Sequence, residues 1–335
     1  DQLPFPARDL LELDRYAYPT HYLPDSVHGK IASIMASRGC VYNCLFCNTP
    51  QTWGRKIRYR SPENVADEIE LCAAKFGYKA IRFHDDAFTT NKKWVLQFCD
   101  ELTKRGIDLP WSCCGRVNFA DRELFQIMRK SGCYSIVFGA ESGSQRILDT
   151  INKKITIDQT KSAFRAAQEV GLLTFGYFML GNPGEDENDF EKTLNLVNEL
   201  GVPKFNMNIT VLYPSNTIFT LAKDSGRIDA NFSWTEKIPE IPLKLIGLPF
   251  FIDPFCPTLQ SEEQIIKYYN SNKDYYNKLI ARGKKLKRVH DYGKYFIINP
   301  RFWYQNYRKY RMLSKSNTGL RQIISSKFSK EDLSD

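Results

Sequence analysis

Ser37-Arg38-Gly39-Cys40-Val41-Tyr42-Asn43-Cys44-Leu45-Phe46-Cys47-Asn48 is the stretch from which the rest of the chain can be read. It places three cysteines at C-x3-C-x2-C directly after an apolar run, Ile31 to Met35, with Gly39 where the backbone must bend tightly. Three ligands in one short loop are informative. A structural zinc site takes four ligands, normally as two separated pairs, whereas closely spaced thiolates can hold a cubane iron-sulfur cluster. With three thiolates one iron stays open to a ligand from outside the protein. His28 or His84 would instead complete a zinc site, and the chain would then be a zinc-binding interaction module.

Downstream, short strand patterns alternate with longer amphipathic helices. Strands are predicted at Ala80–Phe83, Trp111–Gly115, Tyr134–Phe138, Leu172–Leu180 and Phe205–Leu212, in addition to the run before the cysteines. Ser61-Pro62, Asn91, Asp121 and the capping box Thr156–Gln159 open helices between them, and Gly77, Gly106, Ser131-Gly132 and Gly171 close these. Phe190, Leu194 and Val197 mark one more helix. Strands alternating with helices predict an α/β fold with a parallel sheet and right-handed crossovers. Six such units predict a partial (βα)6 TIM-like barrel. Chemistry in such folds sits at the C-terminal strand ends. The cysteine loop, Asp85 and Asp86, Arg116, Glu141, Gly181 and Asn182, and Tyr213 all follow strand patterns directly, so they are expected to converge on one mouth.

The cysteine loop resembles that of radical S-adenosylmethionine enzymes, in which C-x3-C-x-aromatic-C holds a [4Fe-4S] cluster, and Phe46 stands at the aromatic position. The resemblance covers about residues 30 to 230. It implies a [4Fe-4S] cluster on Cys40, Cys44 and Cys47 and S-adenosyl-L-methionine on the open iron. Reductive cleavage then gives a 5'-deoxyadenosyl radical that abstracts hydrogen from substrate, with a flavodoxin- or ferredoxin-type reducing partner. It also implies that Asp85 or Asp86 accepts from the methionine amino group, although no Gly-Gly-Glu is present. Glu141, in Gly-Ala-Glu-Ser-Gly-Ser, accepts from ribose hydroxyls or pairs with Arg116. Gly181 and Asn182 lie beside the adenine, where Phe46 presents its backbone. Residues 1–28, with Pro4-Phe5-Pro6-Ala7-Arg8-Asp9, read as a linker. They resemble the connector that joins a cobalamin-binding domain to the barrel in the cobalamin-associated branch. That implies cobalamin, held by a domain outside this chain, and methyl transfer to carbon. Ring formation and tRNA methylthiolation are the enzyme alternatives.

The 335 residues divide on this reading into the linker, a barrel over 29–230 and an extension over 231–335. The formal charge of +9 is carried by the tail: residues 281–335 hold 14 Lys/Arg against 4 Asp/Glu. Asn299-Pro300 opens a predicted basic amphipathic helix with Trp303, Tyr307 and Tyr310 on one face, and Leu320, Ile323, Ile324 and Phe328 repeat the stripe. Such a helix suits a membrane interface, and hence a small-molecule or lipid-like substrate. RNA binding and packing on the barrel are the rival uses of the stripe. No apolar run reaches the roughly 20 residues of a membrane span. Nine cysteines without a secretory signal predict a reducing, cytoplasmic setting. Only Cys256 lies beyond the barrel, so one cluster is expected. The start at Asp1 rather than Met is read as a cut N-terminus.

Overall fold

The computed structural model describes residues 1–13, 30–180, 182–202, 204–210, 216–224 and 231. Six parallel strands form one sheet in chain order: β1 (Ile31–Ile34), β2 (Ala80–Phe83), β3 (Trp111–Gly115), β4 (Cys133–Glu141), β5 (Leu173–Leu180) and β6 (Lys204–Ile209). The helices are α1 (Thr49–Trp53), α2 (Pro62–Phe76), α3 (Lys92–Lys104), α4 (Arg122–Lys130), α5 (Gln145–Thr150), α6 (Ile157–Glu169), α7 (Glu187–Leu200) and α8 (Thr217–Asp224). An all-parallel sheet whose neighbours follow chain order is the expected half-open α/β barrel. The predicted extension and its amphipathic tail lie outside the described residues. Among the described residues no helix is long and apolar enough to cross a membrane.

The helix boundaries follow their capping chemistry. Ser61, Asn91, Asp121 and Thr156 each accept a backbone N–H of the first turn of α2, α3, α4 and α6, and Thr156 forms the full capping box with Gln159. A second box, Asp186 with Asp189, opens α7 and was not foreseen. Gly77 ends α2 in the left-handed conformation, with φ of 68°. Two short helices, α1 and α5, were also not foreseen; at 5 and 6 residues they are too short to show a hydrophobic period.

Strand alternation puts Ile81, Phe83, Trp111 and Cys113 on the helix side, where they join one core. Phe83, Phe88, Phe98 and Trp111 meet there with centroids 4.8 to 5.8 Å apart, and Trp94 stacks on Phe98 at 5.4 Å. The indole N–H groups are satisfied, Trp94 by the Arg60 carbonyl at 2.7 Å and Trp111 by that of Ser131 at 2.9 Å. The adjacent pair splits as alternation requires. Cys113 is buried in the core, while the Cys114 sulfur accepts from Arg82 Nη2 at 3.2 Å on the opposite face.

Residues 1–13 are docked rather than free. Arg8 is buried, donating to Glu68 Oε1 at 2.6 Å and to the β1 carbonyl of Ser33 at 3.1 Å, and Arg60 reaches Glu68 Oε2 at 2.5 Å. Phe5 lies under the Arg60 guanidinium at 5.4 Å, and Asp1 accepts the Ser61 backbone N–H at 2.9 Å. The rest of the predicted linker lies outside the described residues.

Candidate iron-sulfur and S-adenosylmethionine site

The cysteine loop leaves the sheet at the end of β1 and is closed by a short antiparallel ribbon pairing Ser37 with Tyr59 and Arg38 with Arg58. Gly39 is where the loop turns: its φ is +104°, and a side chain there would stand 2.4 Å from the Lys56 carbonyl oxygen. Four hydrogen bonds from two distant segments hold the loop by its backbone. Asn152 donates to the Asn43 carbonyl at 2.8 Å, and Leu45 N–H reaches the Ile151 carbonyl at 3.0 Å. Asn216 donates to the Phe46 carbonyl at 3.3 Å while its Oδ1 accepts Phe219 N–H, and Ile218 N–H reaches the Leu45 carbonyl at 3.1 Å.

The three thiols are free cysteines, with Cys44 buried and Cys40 and Cys47 half-buried. Among the described residues no three His, Cys, Asp or Glu side chains are arranged to hold a single metal ion. A cubane carries its thiolates on separate irons, and the donors around the sulfurs suit such anionic ligands. Thr49 N–H points at Cys47 Sγ at 3.4 Å, and Arg116 Nη1 at Cys44 Sγ at 3.7 Å. Burial pushes the Cys40 thiol up, opposed by the Tyr42 backbone N–H and the Arg116 charge.

Arg116, just past β3, is fixed on every side. Its guanidinium lies 3.5 Å from the Tyr42 ring centre, Nε donates to Asn118 Oδ1 at 3.2 Å, and Nη2 donates to the Lys153 carbonyl at 2.5 Å. Asn118 in turn donates to the Tyr42 hydroxyl at 2.7 Å. The expected alternative of an Arg116–Glu141 pair is not formed. Glu141 pairs instead with Lys153 Nζ at 2.5 Å, both side chains 8% exposed. Lys153 Nζ also lies 5.6 Å from the Phe46 ring centre. The strand makes room for this pair: a side chain at Gly139 would stand 2.4 Å from Glu141 Oε1 and 2.8 Å from Lys153 Nζ. The β4–β5 register slips between Gly139 and Glu141, and Glu141 has a φ of 62°.

The two aspartates after β2 differ in their partners. Asp85 is buried with both oxygens engaged, Oδ1 by Ala36 N–H at 2.9 Å and Oδ2 by Ser37 Oγ at 2.5 Å. Desolvation pushes its carboxyl up to about 6 against those hydrogen bonds. It is a tie between the ends of β1 and β2, not an open acceptor for a ligand. Asp86 is exposed and accepts from Thr49 Oγ1 at 2.8 Å and from the Gly39 backbone N–H, so it borders the cysteine loop. Asn182 is also engaged by the protein. Its N–H and Nδ2 donate to Glu185 Oε2 at 2.9 and 3.2 Å, and its Oδ1 accepts from Thr210 Oγ1 at 3.1 Å. These bonds fix the Asn182 side chain at the end of β5, between Glu185 and Thr210. Gly181 and Tyr213 lie outside the described residues.

Phe46, Asp86, Arg116 and Glu141 thus gather around the cysteines, together with Lys153, Tyr42, Thr49, Asn152 and Asn216, which sequence reasoning missed. A signal for Lys153 was present in Asn152-Lys153-Lys154 between two helices, where Asn152 and Lys154 turn the chain with φ of 54° and 55°.

Residues 34–197 match the model of the radical SAM superfamily. Those residues, just under half of the chain, are what it shares with that superfamily. It is 33% identical over 222 residues to an uncharacterised methyltransferase of Pyrococcus horikoshii, covering 66% of this chain and 47% of that one. It is 29% identical over 211 residues to the cytidylyl-2-hydroxyethylphosphonate methyltransferase of Streptomyces wedmorensis, covering 60% and 39%. The chain therefore spans less than half the length of either relative. In fold it is similar to the radical S-adenosylmethionine methyltransferase TsrM of Kitasatospora setae, solved with cobalamin and a [4Fe-4S] cluster. The TM-score is 0.54 with 21% identity, over 58% of this chain and 38% of that one.

Proposed function

We propose that this chain is the catalytic part of a cobalamin-dependent radical S-adenosylmethionine methyltransferase acting on carbon of a small molecule in the cytoplasm, with cobalamin brought by a further domain. The observation that carries this is the cysteine loop itself, turned at Gly39 with N–H donors on Cys44 and Cys47, in a chain whose relatives are named methyltransferases. When bound, the cluster with S-adenosylmethionine supplies an electron and a 5'-deoxyadenosyl radical that abstracts hydrogen, and cobalamin supplies the methyl group.

The residues divide the remaining work. Cys40, Cys44 and Cys47 hold the irons, and Arg116 offsets thiolate charge at Cys44. Asp86, beside the loop and exposed, accepts from the methionine ammonium. Glu141 accepts from ribose hydroxyls and is held in place by its ion pair with Lys153. Phe46 packs against that lysine and closes the apolar side of the pocket. Asp85 and Asn182 shape the strand ends without touching the ligand.

Anaerobic reconstitution tests the reading. About four irons per chain are expected, with a reduced-cluster paramagnetic signal that changes on adding S-adenosylmethionine. Cys44→Ala abolishes both. Glu141→Gln keeps the iron and weakens S-adenosylmethionine binding roughly tenfold or more, since a charge-assisted hydrogen bond contributes about 1.5 to 3 kcal/mol. Stoichiometric zinc, or a cluster signal indifferent to S-adenosylmethionine, overturns it.

A further inference from the structure

The ribbon that closes the cysteine loop carries a charge the described structure leaves unbalanced. From Ser37 to Arg60 the sequence has Arg38, Arg55, Lys56, Arg58 and Arg60 and no Asp or Glu. Arg60 pairs with Glu68, which it shares with Arg8. Arg55, Lys56 and Arg58 are exposed, and among the described residues no carboxylate pairs with them or with Arg38. Arg38 lies over the Trp53 ring at 5.4 Å, and Arg58 Nη2 donates to the Trp53 carbonyl at 3.0 Å, so two of the cations are oriented by a tryptophan rather than by an anion. Val41, at the tip of the loop, is 53% exposed and adds an apolar spot.

This patch is coupled to the first cysteine. Cys40 N–H reaches the Gly54 carbonyl at 3.4 Å, and the ribbon pairs Arg38 with Arg58. Only Gly39 separates Arg38 from Cys40, so their Cα atoms lie within about 8 Å. A protein seated on these cations sits against the metal loop.

We propose that this ribbon is the docking surface for an acidic one-electron carrier protein. The inference rests on reading the loop as a [4Fe-4S] site, since that chemistry consumes an electron the chain does not itself supply. One electron leaves the carrier's reduced centre and enters the cluster; the carrier is oxidised by one electron, the cluster is reduced by one, and no bond is made or broken. Electron transfer falls steeply with distance, which favours a carrier docked beside Cys40 over one elsewhere on the barrel. Opposite charges steer such an encounter and align it without tight binding, which suits the small interfaces of redox partners. Nucleic acid is the less fitting occupant, because Trp53, the ring that Arg38 lies over, has one face taken up by that guanidinium.

The test is anaerobic stopped-flow reduction of the reconstituted full chain by two donors, photoreduced flavodoxin, which is acidic, and reduced methyl viologen, a small cation. Triple reversal of Arg55, Lys56 and Arg58 to Glu is expected to slow flavodoxin at least tenfold at low ionic strength. The deficit shrinks as salt is added, while viologen reduces at the same rate or faster. The milder triple change to Gln, which keeps the ribbon's shape, gives an intermediate loss with iron content unchanged. A flavodoxin rate unaffected by either set of changes, or an equal fall with viologen, overturns the inference while the cluster reading stands. Loss of single-stranded RNA retention with an unchanged flavodoxin rate also overturns it, by assigning the ribbon to nucleic acid. A wild-type chain that takes up no cluster overturns the reading of the loop, and the inference falls with it.

Discussion

Behind β2 and β3, Phe83, Phe88, Trp94, Phe98 and Trp111 pack ring against ring, whereas at the C-terminal ends of the same strands the cysteine loop is held by hydrogen bonds and ion pairs. The aromatic cluster draws on apolar area and close contact, which act without direction and without charge. The loop draws on single directed contacts, each replaceable only by a group of the same reach. Loss in the first region is paid out as global stability. In the second it changes the site, except where a charge is left buried alone.

The comparison is broken most severely by Trp111→Ala. A fully buried indole among four rings should cost about 3 to 5 kcal/mol of unfolding free energy, read from urea titration, with no selective loss of iron in the molecules that remain folded. Lys153→Met tests the opposite region. It leaves the Glu141 carboxylate buried without its cation and should cost about 3 kcal/mol. Adding Glu141→Gln to that variant should recover most of the loss in the same titration, while S-adenosylmethionine affinity stays low. If Lys153→Met is neutral alone, the pair is not a structural necessity and the contrast between the regions narrows.

Asp85 sharpens the comparison with pH. Its carboxyl, pushed up to about 6 by burial from an unfolded value near 3.8, holds a proton in the folded state that the unfolded state has already lost. The folded state therefore binds more protons between those values, and stability falls as pH rises through about 4 to 6. The group's effect is at most about 3 kcal/mol. Asp85→Asn should flatten that segment of the pH–stability curve relative to wild type; Ser37 can then accept from the amide. An unchanged slope would mean that Asp85 titrates normally.

The elements were legible where their signals are local. Caps and glycines placed α2, α3, α4 and α6, and apolar runs gave the sheet its six strands. Strand ends located Arg116 and Glu141 at the mouth, because a parallel α/β sheet leaves them nowhere else to go. Their partners were not legible. Arg116 looked to be within reach of Glu141 because both follow neighbouring strands, but the bulge at Gly139 and the left-handed Glu141 aim the carboxylate at Lys153 instead. Nor does sequence distinguish Asp85 from Asp86. Adjacent carboxylates differ only in which side of the chain faces the end of β1. Lys153 and Asn216 were missed because their contacts are long-range: Asn152-Lys153-Lys154 marks a turn between helices, but neither segment names the loop it meets.

Those ties have a temporal consequence. Asn43 and Asn152 are 109 residues apart, and Phe46 and Asn216 are 170 apart. At the roughly 5 to 20 residues per second of synthesis, the cysteines leave the ribosome some 10 to 30 s before the second tie can form. During that interval they belong to a nascent chain whose loop has no frame. Metal delivered then would meet thiols free to take other ions. A chain stopped before Asn216 would carry all three thiols and the tie at Asn152, yet lack the hold on Phe46.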